Sequence, residues 1–261
     1  MIKTNYTLIT GASGGIGLEL ARLAAENRQN LVLVARSGDK LEKLAEEIRT
    51  TNQVEVKTLV SDLSKTKGIE EVLSAISNWQ ITIETLINNA GFGNFGNFAS
   101  AELDKSLDMI RLNITALSYL THHFLRDMVK SGHGKIMNVA STASFMPGPG
   151  MAVYYASKAY VLSFSEALAR EVKGTGVTVT ALCPGPTDTG FAETAGLGNS
   201  LLHRMLPPAT AAEVARVGYK AMLKGKTLVV PGFMNTLSSI TPRFLPRPVV
   251  RDLIYNIHKR H

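Results

Sequence analysis

The stretch TLITGASGGIGLELA, residues 7–21, decides the fold of this chain. An apolar run that ends at Thr10 is followed by glycines at positions 11, 14, 15 and 17, and then by a helical pattern. Glycines in such a turn let backbone N–H groups approach a phosphate, and the N-terminus of the next helix favours its negative charge. Because the turn lies in the first strand–helix unit, it predicts a nucleotide-binding α/β fold rather than an ordinary glycine-rich turn.

The alternation of strand and helix continues along the chain. Strands are predicted at 6–10, 31–35, 54–60, 85–88, 135–140, 177–183 and 227–230, and helices at roughly 14–27, 38–50, 64–78, 102–131, 152–173 and 209–224. Apolar strands separated by helices predict a doubly wound, seven-stranded parallel sheet of the Rossmann type, covered on both faces. We expect this domain to span residues 1–231, with a basic helical extension over 232–261, because the alternation fades after Pro231.

Composition favours a folded, cytoplasmic protein. Of the 261 residues, 45% are hydrophobic and 19% charged, and no signal-peptide core or run of 18 apolar residues is found. The lone Cys183 lies in an apolar run and is predicted to be a core residue. No metal site is expected: His122 and His123 are adjacent and cannot both bind one ion, and His133 and His203 read as loop or surface residues.

The end of the second predicted strand indicates which nucleotide is bound. An NAD-binding fold usually has an acidic residue here, which hydrogen-bonds the adenosine ribose. This chain has Ala35, then Arg36 and Ser37. An arginine can form charge-assisted bonds with a 2′-phosphate, whereas Asp39 lies too far into the next helix to replace the missing acid. We therefore expect NADP (NADPH) as the cofactor.

The segment VYYASK, residues 153–158, carries a candidate acid–base pair. Tyr154 is four residues from Lys158 and Tyr155 is three, so either tyrosine could meet the lysine on a helix. A free tyrosine has a pKa of about 10 and is a poor catalyst near neutrality. A nearby ammonium stabilises the phenolate and lowers that pKa. Helix geometry alone leaves the choice of tyrosine open.

Six short motifs make the chain similar to the short-chain dehydrogenases/reductases. They are TGASGGIG (10–17), NNAG (88–91), Leu-Asn at 112–113, a serine at 141, YYASK (154–158) and PGPTDT (184–189), in the order and approximate spacing of that family. The family pattern places a tyrosine four residues before the lysine and a serine about 13 residues further upstream. The resemblance therefore selects Tyr154 and Ser141, leaves Tyr155 to packing, and disfavours Ser144.

The resemblance implies a role for each matching residue. Tyr154 would exchange a proton with the substrate oxygen, Ser141 would hydrogen-bond that oxygen, and Lys158 would bind the nicotinamide ribose and lower the tyrosine pKa. Asn113 would shape the site and support a proton-relay water, although alone it reads as a buried helix amide. The other positions expected at the cofactor are Gly11, Ser13, Gly15, Ile16, Gly17, Arg36, Ser37, Asp62, Leu63, Asn89, Pro184, Gly185, Thr187 and Thr189.

Two of these positions carry a qualification. Thr187 replaces the aliphatic residue common there in the family. Asp62 also suits the N-cap of a helix that starts near Ser64.

The implied reaction interconverts a carbonyl and a secondary alcohol. Apolar side chains in segments that should border the pocket favour a hydrophobic ketone or a 3-oxoacyl thioester; they are Phe92, Phe95, Phe98, Phe145, Met146 and Phe191. One alternative is a catalytically silent NADP-binding sensor or scaffold, which the complete Asn–Ser–Tyr–Lys set opposes. Nucleic-acid binding would suit a pI of about 9.5, but no aromatic-rich basic patch supports it and none is expected.

We also expect a homodimer or homotetramer. The long helices 102–131 and 152–173 are the surfaces through which such dehydrogenases pair, and the second carries Val161, Phe164 and Leu168 beside its sheet-facing residues.

The positive charge is concentrated in the C-terminal tail. Residues 203–261 hold ten basic and two acidic residues, whereas residues 1–202 are nearly neutral. Within them RPVVRDLIYNIHKR, residues 247–260, predicts a helix with Arg251, Lys259 and Arg260 largely off an apolar stripe of Val249, Val250, Leu253, Ile254 and Ile257. The alternatives are a helix packed on the domain or a partner subunit, a basic lid that attracts an anionic substrate, and contact with anionic lipid at a membrane surface.

Overall fold

The computed structural model describes residues 5–196 and 208–258. The strands are β1 Asn5–Thr10, β2 Asn30–Ala35, β3 Val56–Val60, β4 Thr82–Asn88, β5 Gly134–Val139, β6 Val177–Leu182, β7 Thr187–Asp188, β8 Ala209–Thr210 and β9 Leu228–Val229. Seven of them form one parallel sheet in the order β3–β2–β1–β4–β5–β6–β9, and β7 pairs with β8 separately. The predicted doubly wound, seven-stranded Rossmann sheet is confirmed.

Helices cover both faces of this sheet. They are α1 Gly15–Glu26, α2 Gly38–Asn52, α3 Thr66–Asn78, α4 Leu103–Ile110, α5 Leu117–Ser131, α6 Ala152–Glu171, α7 Phe191–Thr194, α8 Ala211–Leu223, α9 Phe233–Ile240 and α10 Arg247–His258. Side chains of β2 alternate between the two faces: Leu31 and Leu33 pack with α1, α2 and α8, whereas Val32 and Val34 pack with α3 and α5. Both faces are buried, which is why the strands are continuously apolar.

The order of the strands places the loops that matter for function. β1 and β4 are neighbours, and the chain winds outward in opposite directions from them. The loops that follow these two strands therefore leave a crevice at the carboxyl edge of the sheet, where doubly wound folds bind ligands. Loops after β5 and β6 extend the same edge.

One predicted helix differs in the structure. The segment 102–131 is not one regular helix, because a π-helical turn, Arg111–Ala116, joins α4 to α5. The helical extension expected after Pro231 begins with α9, whose bounds the sequence did not give. The division of the chain at residue 231 stays a prediction.

The C-terminal helix α10 forms where it was predicted, but its buried face differs from the expected stripe. Val250, Ile254 and His258 are buried, whereas Val249 and Leu253 are about half exposed. The inward residues pack on a cluster that includes Tyr155, so the tail helix lies on the domain. Lys259, Arg260 and His203 lie outside the described residues.

Two other predicted positions can be placed. Cys183 is fully buried in the core, as predicted. Val161 was expected to face a partner subunit but is fully buried beside Leu117, so it cannot do so. Within residues 5–196 and 208–258, none of the helices is long and apolar enough to cross a lipid bilayer.

Candidate active site

A cavity of about 490 Å³ opens at the carboxyl edge of the sheet. Its volume lies in the range of ligand-binding pockets. The predicted site residues that line it are Gly11, Ser13, Gly15, Ile16, Arg36, Asn89, Ser141, Tyr154, Lys158, Pro184, Gly185, Thr187 and Thr189. One continuous cavity thus joins the glycine turn to the Tyr–Lys pair, whereas Gly17, Ser37, Asp62, Leu63 and Asn113 are not part of its wall.

The glycine turn after β1 has the shape of a phosphate cradle. Gly11 and Gly15 have φ values of +67° and +55°, which favour glycine. A Cβ on Gly15 would lie 2.9 Å from the Cγ2 of Thr189 across the cavity. The N-cap of α1 is Gly14, which has no side chain to cap the first-turn N–H groups. These groups suit an anionic ligand such as a pyrophosphate.

Asn89 holds the glycine turn in place. Its Nδ2 donates to the carbonyl oxygens of Thr10 and Gly11, at 3.0 and 3.1 Å. The hydroxyl of Thr10 accepts in return from the backbone N–H of Asn89, at 3.0 Å. A Cβ on Gly17 would lie 2.4 Å from the same Nδ2. Gly17 therefore permits close packing of α1 against the end of β4, which is a structural reason for that glycine.

Two cations, Arg36 and Lys40, also line the cavity. Arg36 follows β2, and Lys40 lies four residues later in the first turn of α2. In the described part of the chain, neither forms an ion pair, and Asp39 does not line the cavity. Lys40 was not singled out from the sequence, although its place in the first turn of the helix after β2 could have revealed it. An arginine and a lysine together fit a phosphate group better than a ribose hydroxyl.

Tyr154 and Lys158 lie one turn apart on α6, and both are buried. The Nζ of Lys158 donates to the carbonyl of Val139 at 2.8 Å and lies 5.9 Å from the centroid of the Tyr154 ring. Tyr154 also packs against Phe191, with a centroid distance of 5.2 Å. The end of β5 thereby fixes the lysine beside the tyrosine.

The structure distinguishes the two candidate serines. Ser141 is the N-cap of a short 3₁₀-helix, Thr142–Phe145, and lines the cavity. The hydroxyl of Ser144 instead donates to the carbonyl of Lys158 at 2.7 Å, and Ser144 does not line the cavity. Of the two serines, Ser141 is the one that can reach a substrate.

Burial controls the pKa values of the pair. Desolvation raises the pKa of Tyr154 to about 12, although a hydrogen bond with Ser141 opposes this. Desolvation also lowers the pKa of Lys158 to about 8. Burial thus opposes the lowered tyrosine pKa that the sequence suggested, because the phenolate loses its water. The lowering of that pKa by Lys158 stays a prediction.

Asn113 lies in the π-helical turn and is fully engaged by its neighbours. Its Nδ2 donates to the carbonyl of Phe92 and to the hydroxyl of Ser157, each at 3.0 Å, and its Oδ1 accepts from the N–H of Phe92 at 3.2 Å. The side chain therefore joins the loop after β4 to α6. Its proposed support of a relay water stays a prediction.

Asp62, which was expected at the cofactor, forms hydrogen bonds within its own loop. The carboxylate of Asp62 accepts from the backbone N–H and the hydroxyl of Ser64, at 3.0 and 2.8 Å. The next helix starts at Thr66 with Lys65 as its N-cap, so Asp62 does not cap it. Leu63 is buried in the core. The expected cofactor contacts of Asp62, Leu63 and Ser37 stay predictions.

The tail helix contributes an unexpected residue, His258, to the cavity wall. Its Nδ1 lies 2.8 Å from the carbonyl oxygen of Pro149, and its Nε2 lies 3.1 Å from the hydroxyl of Tyr155. A carbonyl oxygen only accepts, so Nδ1 carries a proton and donates it to Pro149. Tyr155 also lines the cavity, but its hydroxyl is already bonded. Tyr154 is thus the tyrosine with a hydroxyl beside Ser141.

The expected apolar wall is present in part. Phe92 and Phe191 line the cavity, together with Met151, which was not predicted. Phe95 and Met146 pack into the cluster around Tyr155 instead. Phe145 packs near Cys183, and Phe98 is exposed.

Comparisons with known proteins agree with this geometry. The family model of short chain dehydrogenases matches residues 5–199. Sulfoacetaldehyde reductase 2 of Chromohalobacter salexigens is 35% identical over 220 residues, which cover 82% of this chain and 86% of that protein. The 3-oxoacyl-[acyl-carrier-protein] reductase of Vibrio cholerae is 31% identical, covering 89% and 98%. A solved short-chain dehydrogenase from Sphingobium yanoikuyae in complex with NADPH has a TM-score of 0.80 and 31% identity, covering 92% and 94%.

Proposed function

The chain belongs to the short-chain dehydrogenase family, and we propose that this oxidoreductase of carbonyl and alcohol groups reduces a hydrophobic ketone or 3-oxoacyl thioester with NADPH. The observation that carries the proposal is the single cavity, which has a phosphate cradle and two cations near one end and Ser141, Tyr154 and Lys158 at the other. A dinucleotide is an extended ligand with a reactive ring and a phosphorylated ribose far apart, and this arrangement suits it.

NADPH is favoured over NADH by the groups that would meet the adenosine ribose. Arg36 and Lys40 would hold the 2′-phosphate, and the first-turn N–H groups of α1 would hold the pyrophosphate. Lys158 would bind the nicotinamide ribose. When bound, NADPH supplies the hydride that reduces the carbonyl carbon. The solved relative from Sphingobium yanoikuyae binds NADPH, which is consistent with this choice.

The side chains of the site would handle the proton. A tyrosine with a pKa of about 12 stays protonated at neutral pH, so Tyr154 would donate its proton to the carbonyl oxygen as negative charge develops there. Ser141 would donate a hydrogen bond to the same oxygen. The Lys158 ammonium would stabilise the phenolate that remains. This assignment favours reduction at neutral pH, because the reverse reaction needs the deprotonated tyrosine.

The walls beside Tyr154 favour an apolar substrate. They include Phe92, Met151, Phe191 and the ring of Tyr155. Apart from Lys158, the described part of the chain places no lysine or arginine at this end of the cavity. A sulfonate, the group carried by the substrate that gives the relative from Chromohalobacter salexigens its name, would find no arginine and no lysine other than Lys158 among the described residues at this end.

Matched tyrosine variants test the proposal. Tyr154→Phe should lower NADPH-dependent carbonyl reduction by roughly 10²–10⁴-fold, since it removes the proton donor. NADPH binding, measured by fluorescence titration, should persist. Tyr155→Phe is the control and should keep most of the activity. Carbonyls of graded size and charge form the substrate panel. The reverse ranking of the two variants would refute the assignment of Tyr154 as the proton donor. A wild type that binds NADPH but reduces none of the panel would favour a catalytically silent NADP-binding sensor.

A further inference from the structure

Helix α9 (Phe233–Ile240) exposes apolar side chains and turns polar ones toward the domain. Its inward side is polar: Ser239 is buried, and Asn235 occupies the space where a Cβ of Gly185 would lie. The Nδ2 of Asn235 also donates to the carbonyl of Pro231 at 2.7 Å. Its outward side is apolar, with Phe233 82%, Leu237 50% and Ile240 45% exposed. A helix at a protein surface normally buries its apolar stripe and exposes its polar one.

Further exposed apolar side chains follow α9 in the chain. Phe244 is 80% exposed, and Val249 and Leu253 of α10 are about half exposed. We use the name tail surface for the exposed side chains Phe233, Met234, Leu237, Ile240, Arg243, Phe244, Arg247, Val249 and Leu253. Two aromatic rings that are four-fifths exposed within one short segment indicate a surface that something covers.

The segment 232–258 carries an excess of positive charge. Over residues 232–258 the basic side chains Arg243, Arg247 and Arg251 face a single acid, Asp252. Asp252 forms an ion pair with Arg251 at 2.8 Å. Arg243 and Arg247 have no acidic partner among the described residues. The tail surface therefore combines apolar side chains with unpaired arginines.

We propose that the tail surface docks this protein on the surface of a membrane that contains anionic lipid. Exposed phenylalanine and leucine side chains would enter the boundary between headgroups and acyl chains, and the arginines would pair with lipid phosphates. Both features are satisfied by one occupant, because an anionic bilayer offers apolar acyl chains directly beneath negatively charged headgroups.

A second copy of the chain fits the charge less well. In a twofold contact the same surface is present on both sides. Residues 232–258 offer no unpaired acid to meet Arg243 and Arg247. Like charges brought together in an interface disfavour association. Self-association through this surface is therefore the outcome that the experiment must distinguish.

Vesicle sedimentation tests the proposal. The full-length protein is mixed with vesicles of phosphatidylcholine alone, or of equal parts phosphatidylcholine and phosphatidylglycerol, at low and high ionic strength. We expect binding to the anionic vesicles that weakens with salt. Arg243→Gln with Arg247→Gln should weaken it by about 25-fold, from about fivefold per arginine. Phe233→Ser with Phe244→Ser should weaken it by at least about tenfold.

Matched controls lie elsewhere on the surface. Phe98→Ser removes a ring that is 58% exposed, and Lys67→Gln removes an exposed cation; both should bind vesicles like the wild type. Thermal unfolding checks that every variant is folded. A wild type that ignores anionic vesicles at low salt overturns the proposal, as does binding that the tail variants leave unchanged. The wild type could also fail to bind vesicles while a tail variant shows a smaller mass than the wild type in light scattering. This pair of results would assign the tail surface to contact with a second copy of the chain. The readout needs no turnover, so it is independent of the proposed reaction.

Discussion

We predict that Lys158 destabilises the fold at neutral pH. Its replacement by methionine should therefore raise the free energy of unfolding. The ammonium is buried, and desolvation lowers its pKa from 10.5 to about 8. Below pH 8 the lysine is charged in both the folded and the unfolded chain, so its desolvation lowers the free energy of unfolding by the full amount. As the pH rises from about 8 to 10.5, the folded chain releases its proton first and this lowering disappears.

The two pKa values set the magnitude. At about 1.4 kcal/mol for each pH unit, they correspond to on the order of 3 kcal/mol in the free energy of unfolding. Lys158→Met also loses the 2.8 Å hydrogen bond to the Val139 carbonyl, which subtracts about 1–2 kcal/mol at every pH. The variant should therefore be more stable than the wild type at pH 7 by about 1–2 kcal/mol. Near pH 10.5 this advantage should have fallen by about 3 kcal/mol.

Urea unfolding at matched protein concentration, without added nucleotide, measures the difference. Concentration must match because self-association would shift apparent stability. Lys67→Met is the control: its side chain is 87% exposed, so its difference from the wild type should be nearly constant over the same range. The reasoning fails if the Lys158→Met difference is equally constant between pH 7 and 10.5, since Lys158 would then not titrate in that window.

Two further expectations concern the cofactor and assembly. Arg36→Ala with Ala35→Asp should move the cofactor preference from NADPH toward NADH, because the change removes a partner of the 2′-phosphate and supplies an acceptor for the ribose hydroxyl. Equal affinity of the wild type for both nucleotides in a fluorescence titration would contradict the role of Arg36. The protein should be a dimer or tetramer in light scattering at micromolar concentration, through exposed apolar residues of α4–α6 such as Ile110, Tyr119 and Tyr160, and a monomeric mass would refute this.

The sheet was predictable because its strands have a strong local signal. β2 is apolar on both faces, and the glycine turn after β1 identifies the first strand–helix unit, so order and type followed from the sequence. The π-helical turn at Arg111–Ala116 has no such signal. It adjusts the helix by one residue so that Asn113 can join Phe92 to Ser157, and these contacts come from distant parts of the chain.

The site was predictable where its residues follow strand ends in a fixed pattern. Ser141, Tyr154 and Lys158 line the same cavity, as their spacing and the family pattern indicated. Their pKa values were not predictable, because burial depends on the packing of the whole domain. His258 was missed for a related reason: its partner Tyr155 lies 103 residues earlier, and no periodic pattern connects them.

Helix α9 shows where amphipathic patterns mislead. Phe233, Leu237 and Ile240 form an apolar stripe at helical spacing, which would ordinarily predict a buried face. The stripe is exposed because the other side of the helix already fits the domain, with Asn235 placed against Gly185. A sequence pattern gives the stripe but not the partner that it faces.

The two adjacent tyrosines of VYYASK connect the chemistry with the tail. They point in different directions on α6: the hydroxyl of Tyr154 lies beside Ser141, and that of Tyr155 bonds to His258 of α10. The inward residues Val250 and Ile254 of α10 belong to the same apolar cluster as both tyrosines, whereas Val249 and Leu253 face outward. One helix therefore forms part of the active-site wall and part of the tail surface. Its inward side belongs to the domain and its outward side stays free for a further contact.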